Sequence, residues 1–120
     1  MKVEINAIGF AMSDALEEYT RRRLRFALGT QSQHVKCVVV RLSDINGPRG
    51  GYDKSCHIQI VLPGFPDLVV EDTATDLYIA ISRAAARANR TVTRKLKRRQ
   101  TRSAGVSPTV YRLRDEVQQG

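Results

Sequence analysis

Apolar and polar residues alternate from Lys2 to Ile8, which predicts a strand with one buried face. Three further segments have the composition and length of strands: Val35 to Ser43, Ser55 to Leu62 and Leu68 to Glu71. The segment 44–54 contains three glycines and a proline and is typical of a long hairpin connection. The sequence Pro63-Gly-Phe-Pro66 predicts a turn.

Two segments have apolar residues at helical spacing. Ser13 is the predicted N-cap of the first helix, whose acidic start and basic end complement the helix dipole, and Gly29 is its predicted stop. A capping box of Thr73 and Asp76 is predicted to open the second helix, which should run to about Arg102. The predicted apolar face of the second helix consists of Ala74, Leu77, Tyr78, Ile81, Ala85, Ala88, Val92 and Leu96.

The predicted element order is therefore β-α-β-β-β-α. A sheet with one apolar face and two helices with one apolar stripe each form a two-layer α+β sandwich, here a four-stranded sheet with both helices packed on one face. Residues 1–102 are expected to form the domain, and residues 103–120, with few apolar side chains, a flexible C-terminal tail. The predicted core includes Val3, Ile5, Leu16, Leu24, Val38, Val40, Ile58, Ile60, Ile81 and Val92.

The charge of the chain is concentrated in its last 48 residues, which carry the whole net charge of +8. Nine basic residues and no acidic residue lie between Arg83 and Arg102. At about 100° per residue, six of the nine fall within an arc of about 100°: Arg83, Arg87, Arg90, Arg94, Lys97 and Arg98. A solvated helix normally mixes acidic residues into its exposed face, so this pattern predicts a surface that binds a polyanion.

The sequence lacks the motifs of common enzyme classes, including the nucleophile elbow, the phosphate-binding glycine loops and HExxH. His34 and His57 have no matched cysteine or carboxylate spacing, so neither a metal nor another cofactor is expected. Asp44, Asp53 and Asp67 are interpreted as turn formers. Cys37 and Cys56 are predicted to be reduced packing thiols. The chain is therefore interpreted as a binding protein rather than an enzyme.

Three kinds of polyanion could bind the basic helix: a membrane surface, DNA and RNA. A membrane surface would favour large apolar residues beside the basic face, whereas Ala, Ser, Asn and Thr stand there. Sequence-specific DNA binding usually uses a helix-turn-helix or zinc module, which the element order does not fit. Structured RNA is recognised through shape, phosphates and 2′-hydroxyl groups, and is favoured. A general RNA- or DNA-binding regulatory protein remains an alternative, and a ribonuclease using His57 with a sheet carboxylate is a weaker one.

The stretch from Asp76 to Gln100, DLYIAISRAAARANRTVTRKLKRRQ, resembles the second helix of the ribosome hibernation promoting factor and ribosome-associated inhibitor family. That family has an Asp-Met-Tyr-x-Ala-Ile opening followed by basic residues at helical spacing. The opening is matched by Asp76, Tyr78, Ala80 and Ile81, and the basic positions by Arg87, Arg90, Arg94 and Arg98. The segment FAMSDALEEYTRRRL resembles the family's first helix, with a basic residue at Arg23. The similarity covers residues 3 to 100.

The resemblance implies a cytoplasmic ribosome-binding translation inhibitor, or hibernation factor, of stress or stationary phase. Family members occupy the decoding channel of the small subunit, where mRNA and the A- and P-site tRNAs bind, and both helices face rRNA there. On this interpretation the partner is the small ribosomal subunit and its rRNA, with no membrane or small-molecule substrate. Arg22 and Arg23 join the six residues of the second helix as predicted RNA-binding residues. The chain is expected to be of the short, single-domain type and monomeric when isolated.

Overall fold

A computed structural model describes residues 1–44 and 53–106, with side chains through Arg98. Its elements are β1 (Lys2–Ile8), α1 (Asp14–Leu28), a 3₁₀ helix (Gly29–His34), β2 (Cys37–Asp44), β3 (Lys54–Val61), β4 (Leu68–Ala74) and α2 (Leu77–Val106). The predicted β-α-β-β-β-α order is confirmed. The glycine-rich segment 45–52 and the predicted tail beyond residue 106 lie outside the described residues.

The four strands form one mixed sheet in the order β1-β2-β3-β4. β1 pairs in parallel with β2, whereas β2–β3 and β3–β4 are antiparallel. The register places Val38 opposite Ile60 and Val40 opposite Ile58. These residues point to the same face because side chains alternate along each strand. The hydrophobic pattern therefore specifies the register, since a shift by one residue would expose this set.

One face of the sheet is buried, and the two helices lie on that face. Eight of the ten predicted core residues are buried: Leu16, Leu24, Val38, Val40, Ile58, Ile60, Ile81 and Val92. Val3 and Ile5 are only partly buried. Both belong to β1, an edge strand with a neighbour on one side only, so they are less completely buried than the other eight.

The start of α2 differs from the predicted capping box. Thr73 and Ala74 belong to β4, which is longer than predicted, and the helix begins at Leu77. Asp76 alone caps it: its Oδ1 accepts a hydrogen bond of 2.7 Å from the backbone N–H of Tyr78. The prediction for Thr73 was wrong because its β-branched side chain extends the β4 ladder opposite Ser55.

The ends of the helices also differ in detail from the predictions. Ser13 caps α1 as predicted, accepting a hydrogen bond of 3.1 Å from the N–H of Leu16. Gly29 follows the last α-helical residue, but its φ of −60° is right-handed and the chain continues into the 3₁₀ helix. α2 continues to Val106, beyond the predicted end.

The predicted turn at Pro63 to Pro66 is present. The N–H of Phe65 donates a 3.0 Å hydrogen bond to the carbonyl of Leu62, and Gly64 has a φ of 88°. Proline followed by a residue with positive φ matches a type II turn. The turn connects β3 to β4. Glycine is favoured at position 64 because it adopts a positive φ without steric cost.

Contacts along the chain define two compact units, Met1–Asn89 and Arg90–Gly120. The first contains the sheet, α1 and the beginning of α2. The described part of the second is the remainder of α2, in which Val92 is buried.

Ile60 tests the assignment of the buried face. It is fully buried, so Ile60→Ala should lower the free energy of unfolding by about 2–5 kcal/mol through lost burial and a cavity. Ile8→Ala makes the same change at a side chain that is 51% exposed and should cost less than about 1 kcal/mol. Denaturant unfolding measures both. Equal losses would contradict the burial assignment.

The two cysteines should differ in reactivity. Burial, with smaller contributions from Asp72 and Glu71, raises the pKa of the Cys56 thiol to about 12, and Cys37 is only partly buried. A thiol reagent at about pH 8 should therefore label Cys37 in the folded protein and Cys56 only after unfolding, because the thiolate is the reactive form. Mass spectrometry locates the label. Rapid labelling of Cys56 in the native protein would contradict this expectation.

Candidate nucleic-acid interface

The six predicted basic residues of α2 are all exposed. Arg83 and Arg87 belong to the first compact unit, and Arg90, Arg94, Lys97 and Arg98 to the second. No acidic residue lies on the helix between Arg83 and Arg98. In each of the two units, the exposed basic residues of α2 therefore provide positive charge, as a phosphate-binding surface requires.

The buried side of α2 consists mostly of small residues. Ile81 is fully buried together with Ala80, Ala84, Ala85 and Ala88. Alanine has no side-chain entropy to lose in a helix and allows close packing, so this face orients the helix at little conformational cost. The prediction missed Ala80 and Ala84 and included Ala74, which belongs to β4.

Tyr78 does not lie in the core, where the predicted apolar face had placed it. Its side chain is 42% exposed and its ring packs edge-to-face against Tyr19 of α1, with the ring centroids 4.8 Å apart. The predicted position was wrong because Tyr78 packs against a side chain of α1 and not inside the core. The exposed hydroxyl end of the side chain can remain in water.

Arg87 has an acidic neighbour outside its own helix. Its Nη2 lies 3.3 Å from Oδ2 of Asp72 on β4, with the arginine side chain 52% and the aspartate 16% exposed. Asp72 also accepts a 2.9 Å hydrogen bond from the N–H of Thr73 through Oδ1. Sequence reasoning missed this pair because fifteen positions separate its members. Part of the Arg87 charge is therefore neutralised within the molecule.

Arg22 and Arg23 have different environments on α1. Arg22 is exposed, and its Nη1 lies 3.5 Å from Oε2 of Glu18. Such an exposed pair contributes little to stability. Arg23 is partly buried, and its Nη2 donates hydrogen bonds of 3.3 Å to both the carbonyl and the hydroxyl of Ser82 on α2. Arg23 thus connects the two helices, while its predicted role in RNA binding stays a prediction.

Of the two remaining arginines of α1, one makes contacts within the protein and the other is exposed. Arg21 donates a 2.9 Å hydrogen bond to the carbonyl of Val3 and lies 3.2 Å from Glu17, so it ties α1 to the edge strand. Arg25 is exposed in the last turn of α1, where a positive charge complements the helix dipole.

The three loop carboxylates have structural partners. The Lys54 ammonium lies 3.1 Å from Asp44 and 3.0 Å from the buried Asp53, joining the ends of β2 and β3. The hydrogen bond to Asp53, together with Asp44, raises the pKa of Lys54 above its usual range despite some opposing desolvation. Asp67 accepts a 2.8 Å hydrogen bond from Gln59. The three carboxylates were predicted as turn formers, whereas Asp44 is the last residue of β2.

His57 lies on the open face of the sheet, opposite Arg41 on one neighbouring strand and Glu71 on the other. Its Nδ1 is buried and has no hydrogen-bond partner. Oε2 of Glu71 accepts a 3.1 Å hydrogen bond from Ser55 rather than from the histidine.

In residues 1–44 and 53–106, no group of three or more histidine, cysteine or acidic side chains is arranged to bind a metal ion. Within the same residues, none of the helices combines the length and apolar character needed to cross a bilayer.

Comparison with known proteins identifies the family. The family described as sigma 54 modulation protein / S30EA ribosomal protein matches residues 3–101. The structure is similar to the crystal structure of the Thermus thermophilus Protein Y N-terminal domain, with 28% identity, a TM-score of 0.64 and coverage of 78% of this chain and 98% of that one. It is also similar to a ribosomal subunit interface protein from Coxiella burnetii, with 16% identity, a TM-score of 0.69 and coverage of 81% and 99%. At that identity the second likeness shows the fold alone. No curated protein sequence matches the chain.

This chain belongs to the sigma 54 modulation protein / S30EA ribosomal protein family. The resemblance to ribosome hibernation factors drawn from residues 3–100 is confirmed. The match is to a family of ribosome-associated modulation proteins rather than to an enzyme family.

The pair of Arg87 and Asp72 leads to a prediction about affinity for polyanions. Asp72→Asn removes the negative charge beside Arg87 and keeps an oxygen that can accept from Thr73, so the variant should elute from heparin at higher salt than the wild type. Asp67→Asn changes the net charge equally at an exposed turn position and should shift elution less. Identical elution of the two variants would show that Asp72 has no local effect on the basic surface.

Proposed function

We propose that this protein binds the small ribosomal subunit in its decoding channel, where mRNA and the A- and P-site tRNAs bind, and inhibits translation under stress or in stationary phase. The exposed basic side of α2 would contact rRNA phosphates. Arg22 would add a contact from α1. The partner is thus the small subunit and its rRNA, in the cytoplasm, and binding requires neither a cofactor nor catalysis.

The observation that carries the proposal is the basic face of α2. Arg83, Arg90, Arg94 and Lys97 are exposed on a helix whose other side is buried, and the described helix carries no acid between them. A helix is already ordered, so its backbone loses little conformational freedom when its basic side chains meet a folded RNA. This favours a structured partner with dense phosphates.

The comparisons support the ribosome as the source of that RNA. The family description includes an S30EA ribosomal protein, and the Coxiella burnetii relative is named a ribosomal subunit interface protein. A position at the subunit interface would bring the basic helix to functional rRNA. Binding there competes directly with the nucleic acids that translation needs, which gives inhibition without chemistry.

Sedimentation of a lysate through sucrose tests the partner. The tagged protein should travel with small subunits or whole ribosomes at low salt, and the purified protein should inhibit a reconstituted translation system. Excess mRNA and initiator tRNA should relieve the inhibition. A protein that stays at the top of the gradient, or inhibits regardless of tRNA, would favour a general RNA- or DNA-binding regulator.

A charge-matched pair of triple variants tests whether the basic face of α2 is the binding surface. Changing Arg90, Arg94 and Lys97 to Gln removes three exposed charges, so the slope of log affinity for small subunits against log salt should flatten by about 2 and the affinity should fall sharply. Binding at several salt concentrations measures both quantities.

The control changes Lys2, Lys36 and Arg41 to Gln, which removes the same charge from exposed positions on β1, β2 and the residue before β2. It should retain most of the affinity. Circular dichroism establishes that both variants are folded. Equal losses from the two triples would mean that binding depends on net charge and not on the oriented helix.

A further inference from the structure

Phe26 is the most exposed of the large hydrophobic residues that the structure describes, with 82% of its surface accessible. It lies in the last turn of α1, between the exposed Arg25 and the partly buried Ala27. The ring contributes little to the core from this position. A phenylalanine used only for stability would be placed inside, as Leu24 and Leu28 are on the same helix.

One side of the Phe26 ring is already covered. The guanidinium carbon of Arg23 lies over the ring, 5.7 Å from its centroid, within the range of a cation–π contact. Arg23 is itself held by its two hydrogen bonds to Ser82 on α2. The arginine therefore restrains the ring on one face, and the high exposure leaves the other face to solvent.

The surroundings of the open ring face are basic rather than apolar. Arg22 lies one helical turn before Phe26 and is exposed, so it projects from the same side of α1. Its partner Glu18 is also exposed, and a pair of this kind is readily exchanged for another anion. A flat apolar ring beside a positive charge matches the two parts of a nucleotide, the base and the phosphate.

We infer that Phe26 is a stacking platform for one unpaired base of the bound RNA, with Arg22 contacting a phosphate of the same strand. The inference rests on the proposed function and adds a recognition element on α1 to the phosphate contacts of α2. An aromatic platform selects unpaired over paired nucleotides, because only an unstacked base presents its face. Phe26 would thus place α1 against a loop or bulge of the RNA.

The test compares Phe26→Ala, Phe26→Leu and Phe26→Trp for affinity to purified small ribosomal subunits. Loss of one stacked base should weaken binding of the Ala and Leu variants roughly 5- to 100-fold, and the Trp variant should bind within about twofold of the wild type. The chain has no tryptophan, so Phe26→Trp introduces a single one, and its fluorescence should be quenched when a single-stranded RNA oligonucleotide, which contains no tryptophan, is added. Val69→Ala, at an exposed apolar residue of β4, should leave the affinity unchanged.

The outcomes separate the two proposals. Absence of wild-type binding to small subunits would overturn the proposed function. Wild-type binding with an unaffected Phe26→Ala variant, or with unquenched Phe26→Trp fluorescence, would overturn the stacking inference alone. Wild-type affinity in Phe26→Leu would also overturn it, because an aliphatic side chain that suffices indicates an apolar protein contact.

Discussion

The packing of the alanine-rich side of α2 is the interaction on which the arrangement of the charged surface depends. Ile81 and four alanines are buried between Ala80 and Ala88, and this burial sets the rotation of the helix in the first compact unit. Because residues on one helix are related by a fixed rotation, burying these positions turns Arg83 and Arg87 towards solvent. The apolar burial that stabilises the domain thus also determines which basic side chains face solvent. A large polar substitution at Ala84 would therefore lower stability and change the orientation of the basic residues.

The elements and the core could be predicted because they depend on local patterns. The alternation along β2 and β3 indicated the buried face, and Ser13 indicated the start of α1. The structure differs from the predictions where contacts between distant parts of the chain determine the conformation or burial of a residue. Thr73 has the chemistry of a cap but pairs in β4, and Val3 and Ile5 alternate correctly but occupy an edge strand.

In the candidate site, too, local patterns could be predicted and contacts between distant residues could not. Periodicity sufficed to place six basic residues on one exposed side of α2, whereas the contacts that modify the site join distant parts of the chain. Asp72 beside Arg87 and Ser82 beneath Arg23 are separated from their partners by fifteen and fifty-nine positions. Phe26 was missed although the sequence holds a signal for it: at about 100° per residue, Phe26 lies on the opposite side of α1 from Leu24 and Leu28.

The most direct test of the central claim is to map what the exposed face of α2 touches on the ribosome. A photo-crosslinking residue at Arg90, with one at Arg41 on the open sheet face as comparison, would be activated in complexes with intact ribosomes. The account predicts crosslinks from position 90 to small-subunit rRNA in the decoding region, and few from position 41. Crosslinks from position 90 to proteins alone, or equal rRNA crosslinking from both positions, would contradict it.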